Sequence, residues 1–279
     1  GKFLTKAGYN IAGLASKSLS SAKRAADIIK TNNISDVPWE VTKKADIVFL
    51  TTPDNAIADT CNNISIHLGF RKNAVVLHCS GALSSAVLSS AKKCNAFIGS
   101  MHPLQSFASI VPDDNPFKDI IISVEGEKDA VNKARKIATD LGAECLTIKA
   151  EAKTLYHASA VVASNYLVTL LDMSFRLIKE AGITDRDAFK ALKPLIQGTL
   201  SNIEKVGITN GLTGPIVRGD IETLKKHIEE IGAITPDLLN LYKTLGFYTI
   251  DIAAAKGFLS KEDIKKLKAI LNPITLQSL

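Results

Sequence analysis

Several things are scarce in this chain, and each scarcity excludes something. No acidic residue precedes Asp27, although 28 occur among the 279 residues. The four cysteines, Cys61, Cys79, Cys94 and Cys145, stand alone, which excludes a disulfide framework and gives no metal-ligand spacing. Reduced thiols in a cytoplasmic protein are the expectation, with no metal site. No uninterrupted apolar run reaches bilayer length and no signal peptide opens the chain, so no membrane partner is expected. Glycine is present 17 times but never as G-x-G-x-x-G. Aromatic residues make up only 6%.

What remains is ordinary globular material, 46% hydrophobic and 22% charged. The net charge of +6 suggests an acidic partner. Its lysines, however, alternate with acids in helical patterns such as "KKHIEE" and "KEDIKKLK", as on solvated faces. That argues against nucleic acid and for a small anionic or phosphorylated ligand.

The two halves differ in pattern. Up to residue 149, β-rich runs at 9–15, 45–52, 73–80, 95–101, 119–124 and 143–148 alternate with helical segments. Most runs are continuously apolar, as in parallel strands covered on both faces, which predicts a doubly wound α/β domain over 1–149. From residue 150 the strand signals vanish and an all-helical domain is expected over 150–279. It is built on one central helix of some thirty residues that is apolar nearly all round and expected to be buried on several sides. Further helices are expected at about 185–205, 219–230, 236–256 and 260–271.

Ligands of such sheets bind beyond the carboxyl ends of the strands, and the residues there are informative. Ser16, Lys17 and Ser18 follow one strand where a reader of the NAD ribose would place an acid. Two hydroxyls flanking a lysine, with Lys23 and Arg24 beyond, favour the 2′-phosphate of NADP over NAD; a helix cap beside a solvated lysine is the plainer alternative. Thr51, Thr52 and Pro53 end the next run as an edge for ribose or nicotinamide, with Asp54 placed to start a helix. Ser80 and Gly81 mark a further strand tip, where glycine allows close backbone approach. The opening "GKFLTKAGYN" reads as the helix that follows a phosphate-binding turn, with Gly8 as its stop. The first strand and glycine loop are therefore expected to lie before it.

His102-Pro103 ends an apolar run at a stiff dipeptide, and with Gln105 is expected to wall a substrate site; Phe107 would anchor the loop by packing. Lys153 and His157 are four residues apart and share a helix face. They are the candidate acid/base pair, with Ser164 and Asn165 orienting substrate in a cleft between the domains. A solvated Lys153 and a structural His157 are the alternative. In "NGLTGPIVRGD", Arg218 either grips an anionic substrate or pairs with Asp220. His78 is expected to be buried structure, and Trp39, His67 and His227 packing or surface.

Together "ADIVFLTTPDNAI", "LHCSGALSS", "SMHPLQSF", "YHASAVVASNYLV" and "LTGPIVRGD" resemble, in order, bacterial proteins with a Rossmann-like domain joined to a C-terminal helical domain of unknown function. The layout is more distantly similar to pyrroline-5-carboxylate reductase, 6-phosphogluconate dehydrogenase, ketopantoate reductase and deazaflavin-dependent NADP oxidoreductases. The resemblance implies NAD(P) on the first domain, substrate against the long helix and a homodimer through the helical domain. Two functions stay open: an NADP(H)-dependent oxidoreductase of a small anionic substrate, and a non-catalytic NADP-binding or sensing protein.

Overall fold

The computed structural model describes residues 1–107 and 114–273. Internal packing groups Gly1–Tyr166 as one compact unit and Leu167–Leu279 as a second. The helical turns from residue 150 to 166 thus belong, by their contacts, with the first unit.

The first unit opens with α1 (Lys2–Lys6), stopped by Gly8 at φ 87°. β1 (Leu14–Ala15), α2 (Leu19–Ile29), β2 (Ile34–Ser35) and α3 (Pro38–Thr42) follow. β1 and β2 form a small parallel pair of their own. A second sheet holds β3 (Ile47–Leu50), β4 (Val75–His78), β5 (Phe97–Pro103), β6 (Ile121–Gly126) and β7 (Glu144–Thr147), hydrogen-bonded in that order. Its helical cover is α4 (Asp54–Ile66), a 3-10 helix over Ser85–Cys94 and α5 (Lys128–Asp140).

Apolar side chains from both faces of β4 are buried, which explains its unbroken "VVL". Val76, with Val48, Leu50 and Ile98, packs on Ile57, Cys61 and Ile64 of α4 and Leu88 of the 3-10 helix. Val75 and Leu77, with Met101, Ile122 and Val124, pack on Ala130, Ala134 and Ile137 of α5. Two such layers on one sheet are the doubly wound architecture expected. One pairing departs from it: β6 runs antiparallel to β5. Among the described residues no helix joins them, and without a crossover helix a parallel return has no route.

The strand expected over 95–101 runs two residues further, so His102 and Pro103 are paired strand residues, opposite Ser123 and Ile122. β2 and α3 carried too little pattern to be read at all.

The thirty-residue helix begins as a 3-10 turn (Ala150–Ala152), continues as α6 (Lys153–Val161) and passes through a π-helical turn (Val162–Tyr166). It resumes in the second unit as α7 (Leu167–Glu180). Its middle is not buried, against expectation: Val162, Tyr166 and Val168 are all more than half exposed. Ala150–Glu180 is also long and apolar enough, by length and composition, to cross a membrane, with a mean hydropathy of 1.3 over its best window. No such run was expected, because isolated polar residues hide it from a search for unbroken apolar stretches.

The second unit continues with α8 (Asp185–Gly211), α9 (Ile221–Ile234), α10 (Pro236–Ala255) and α11 (Lys261–Leu271). Leu224, Ile250, Leu267 and Leu271 form one core, and Met173, Ile231 and Leu238 another. α8 overruns its expected end but breaks at Gly207, whose φ of 77° is non-helical. Ser260 and Asp263 form a capping box on α11.

Candidate functional site

Within the first unit, Lys153 connects the start of α6 to the carboxyl ends of β4 and β5. It is the most thoroughly buried cation described, 1% exposed. Its Nζ donates to the Ser80 carbonyl at 2.7 Å and to Ser100 Oγ at 3.0 Å. A buried ammonium is costly unless its protons find acceptors, and two of them do. The expectation of a solvated Lys153 is therefore excluded.

Ser80, at the tip of β4, is fixed through each of its polar groups. Its N–H donates to His78 Nδ1 at 3.2 Å, and its hydroxyl donates to Asp54 Oδ2 at 2.7 Å. The same hydroxyl accepts the backbone N–H of Ala82 and Leu83. The turn that follows is therefore rigid, and Gly81 sits at its crest. A Cβ there would lie 2.6 Å from His157 Cδ2 and 2.8 Å from His102 Nε2. Only glycine lets both imidazoles close over this turn.

His102 and His157 thus meet at Gly81, their ring centroids 6.4 Å apart. Tyr156 stands beside them, its hydroxyl 3.2 Å from His102 Nδ1 and its ring edge-on to the imidazole. Burial pushes the His102 imidazole down to about 4, helped by the nearby positive charge of Lys153. At neutral pH His102 is consequently an uncharged hydrogen-bonding group. Burial also pushes the Lys153 ammonium below the usual lysine range, while the carboxylate of Glu125 opposes the shift.

Sequence reasoning had singled out Lys153, His157, His102, Ser80 and Gly81, and the structure brings all five together. Pro103 continues β5 beside His102. Gln105 is exposed, its side-chain oxygen accepting the N–H of Ser106. Phe107 is 49% exposed, with its ring 5.8 Å from that of Phe117. Thr51 and Pro53 are exposed at the end of β3, but Thr52 Oγ1 is buried without a hydrogen-bond partner. Ser16 and Lys17 follow β1, and Ser18 caps α2 through the Ser21 N–H. Ser164 and Asn165 lie in the π-helical turn and are exposed. The wider turn breaks the 100° step that put Ser164 on the face of His157 and Asn165 to its side. Arg218 belongs to the second unit, 4.0 Å from Asp220, whose carboxylate caps α9.

Three residues of the cluster went unnoticed: Ser100, Glu125 and Tyr156. Ser100 and Glu125 did leave a trace, Ser100 as the single polar residue of "FIGSM" and Glu125 alternating with Ser123 in "IISVEG".

The fold is that of a Rossmann-like domain, with the cluster at the ends of β4 and β5, followed by a helical domain. Comparison with known proteins gives the same class: residues 1–103 match the Rossmann-like domain family, and residues 120–249 match the domain of unknown function DUF2520. The chain thus carries a Rossmann-like match followed by a DUF2520 match. Protein TM1727 from Thermotoga maritima is similar at 26% identity, with 92% of this chain and 98% of that one covered and a TM-score of 0.68. BF3122 from Bacteroides fragilis, provisionally named an NADP oxidoreductase, has 21% identity over 91% of each chain and a TM-score of 0.70. The fold also matches Plasmodium falciparum pyrroline carboxylate reductase with NADP bound, at 14% identity, over 96% of this chain and 92% of that one, with a TM-score of 0.52. No curated protein matches the sequence.

The lowered His102 value has a consequence for stability. Between pH 6.5 and about 4 the unfolded chain takes up a proton that the native imidazole refuses. Native stability therefore falls as pH drops through that window. In His102→Gln the slope of unfolding free energy against pH is expected to become shallower, by up to about 1.4 kcal/mol per pH unit. Urea denaturation at stepped pH measures it, and an unchanged slope would contradict the buried, neutral imidazole.

Proposed function

We propose that this protein is a nicotinamide-dinucleotide-dependent oxidoreductase that prefers NADP(H) and acts on a small anionic substrate. The observation that carries the reading is the convergence of His102, His157 and buried Lys153 on the Gly81 turn. That turn lies where open α/β sheets bind their ligands. The resident groups suit a dinucleotide. Thr52 offers a buried, unpartnered hydroxyl at the end of β3, beside Thr51 and Pro53. Ser16, Lys17 and Ser18 would receive the 2′-phosphate at the end of β1. When bound, the nicotinamide supplies or accepts the hydride.

The remaining chemistry is proton transfer and positioning. His157 is half-buried on the open side of the cluster and is the proton donor or acceptor at the substrate. Neutral His102, oriented by Tyr156, donates or accepts a hydrogen bond there, with Pro103 beside it. Lys153 is enclosed, so it acts by fixing the Ser80 carbonyl and by placing a positive charge beneath the turn, which favours an anion. Gln105, Ser164, Asn165 and Arg218 are retained as candidates for substrate contact. The enclosure of Lys153 favours one other reading, a dinucleotide-binding protein without turnover.

Titration with NADPH and NADH, followed by nucleotide fluorescence and thermal shift, tests the reading. NADPH is expected to bind the more tightly, and Lys17→Glu to reverse the order. His157→Gln is expected to bind NADPH normally but to lose at least about 100-fold in turnover on a panel of imino, keto and hydroxy acids. Failure of both nucleotides to bind at millimolar concentration would end the oxidoreductase reading; binding without turnover in the parent protein would favour the sensor.

The proposed protein partner is a second copy, met through the helical unit. Leu200, Ile203 and Val206 follow at three-residue steps along α8, each at least 37% exposed, and Phe189, Leu195 and Ile208 are each at least 55% exposed. Tyr248 of α10 is 70% exposed. Monomers rarely leave so much contiguous apolar surface in water. Light scattering at micromolar concentration should give twice the chain mass of 29.9 kDa; the single mass would refute the dimer.

A further inference from the structure

Behind the Gly81 turn lies a row of polar side chains that the proposed reaction does not use. Strand register aligns His78 of β4 with Ser100 of β5, and Ser100 with Glu125 of β6. Partners in register point to the same face, so the three form one line across the sheet, beneath the 3-10 helix. All are buried: His78 is 0% exposed, Ser100 1% and Glu125 2%. Lys153 enters this row from α6, ending on Ser100 Oγ.

Glu125 is bound as a carboxylate acceptor. Its Oε1 accepts the Ser85 N–H at 2.7 Å and its Oε2 accepts the Ser85 hydroxyl at 2.8 Å. A buried carboxylate with only neutral donors is poorly compensated, and so is a buried ammonium with only neutral acceptors. Among the described residues Lys153 and Glu125 form no direct ion pair; Lys153 ends on Ser100, the register neighbour of Glu125. Both are enclosed in the same low-dielectric layer, where charges act on one another over greater distances than in water.

We propose that Glu125 is the counter-charge of Lys153 and thereby a positioning residue for the site. Glu125 holds the ammonium in its charged form, the ammonium holds the Ser80 carbonyl, and Ser80 holds the Gly81 turn under His102 and His157. Of the groups facing Lys153, Glu125 does most to favour its charged form, and Asp54 contributes less. His78 and His102 are driven neutral by burial, and burial lifts the Cys79 thiol to about 11, so it is uncharged as well. Asp54, at the start of α4, is exposed and engaged by Ser80 Oγ. His157, on the same helix as Lys153, can contribute no negative charge.

The inference rests on reading this cluster as the functional site, yet its test needs neither cofactor nor substrate. The experiment is an NMR titration of the full chain carrying 13C-labelled lysine and histidine, with the Lys153 and His102 signals assigned from Lys153→Arg and His102→Gln. Glu125→Gln keeps an acceptor for the Ser85 N–H, removes the charge, and turns the second position into a donor toward the Ser85 hydroxyl. In Glu125→Gln the Lys153 pKa is expected to fall by at least one unit, while that of His102, which titrates near 4 with Lys153 still charged, is expected not to rise. A purely structural Glu125 would leave the Lys153 titration unmoved. A double-mutant comparison gives a second readout: Lys153→Met strands a buried carboxylate, so Lys153→Met/Glu125→Gln should be more stable than Lys153→Met alone. An unmoved Lys153 titration, or additive losses in the double variant, would overturn the proposal. Should Glu125→Gln fail to fold, a folded double variant would support it, and a double variant that also fails to fold would overturn it. None of these outcomes depends on whether NADPH binds, so failure here is distinguishable from failure of the oxidoreductase reading.

Discussion

The site of this protein depends on one buried ammonium. Lys153 reaches from the first turn of α6 to the Ser80 carbonyl and the Ser100 hydroxyl, and nearly everything chemically useful is arranged around that reach. It ties the start of a helix to the tips of two strands. It brings His157, one helical turn on, over the same glycine that His102 approaches from β5. A neutral side chain of the same length would fill the space but would not hold the carbonyl with a charge-assisted bond. The cost of burying the charge is met by two acceptors and by a carboxylate one strand further on. Glycine at position 81 is the complementary condition, since any side chain there would displace the imidazoles.

The same arrangement explains how a polar cluster survives in a sheet that is otherwise an apolar sandwich. β4 and β5 bury aliphatic residues on both faces, and β6 buries them on the face toward α5. The buried polar residues His78, Ser100 and Glu125 lie instead on the face covered by the 3-10 helix. There, Ser85 satisfies Glu125 and Ser80 is satisfied from three directions. The buried groups left unpaired among the described residues are Thr52 Oγ1 and His78 Nε2. Thr52 ends the strand beside which a ligand would lie. His78 has its Nδ1 committed to the Ser80 N–H, which leaves the proton on Nε2 facing the interior.

Much of this was legible from residues alone, and the exceptions have physical causes. Continuous apolar runs marked β3 to β5 because burial on both faces removes the alternation that an exposed sheet would show. Lys153 and His157 were visible as an i, i+4 pair, and His102 by the proline that follows it. The strand end was misjudged because Pro103 lacks only a donor; it can still occupy a paired position at the end of a strand. Ser164 and Asn165 were placed by a regular helical step that the π-helical turn does not obey. Ser100 and Glu125 are a different case. Each is a polar residue in a largely apolar strand, and what gives it meaning is the register between β4, β5 and β6, which depends on tertiary packing. The antiparallel turn of β6 was equally invisible, since direction is set by how the chain returns. Likewise, the long helix looked buried because its composition is apolar, yet Val162, Tyr166 and Val168 in its middle are more than half exposed.

The central claim is that the Gly81 turn, closed by His102 and His157 and held from below by Lys153, is where a nicotinamide reacts. The most direct measurement is a crystal structure with NADPH bound. The account predicts the nicotinamide ring against Gly81, with Thr52 engaged and His157 facing the ring across the space left for substrate. A dinucleotide bound elsewhere, with His102, His157 and Gly81 untouched, would contradict it.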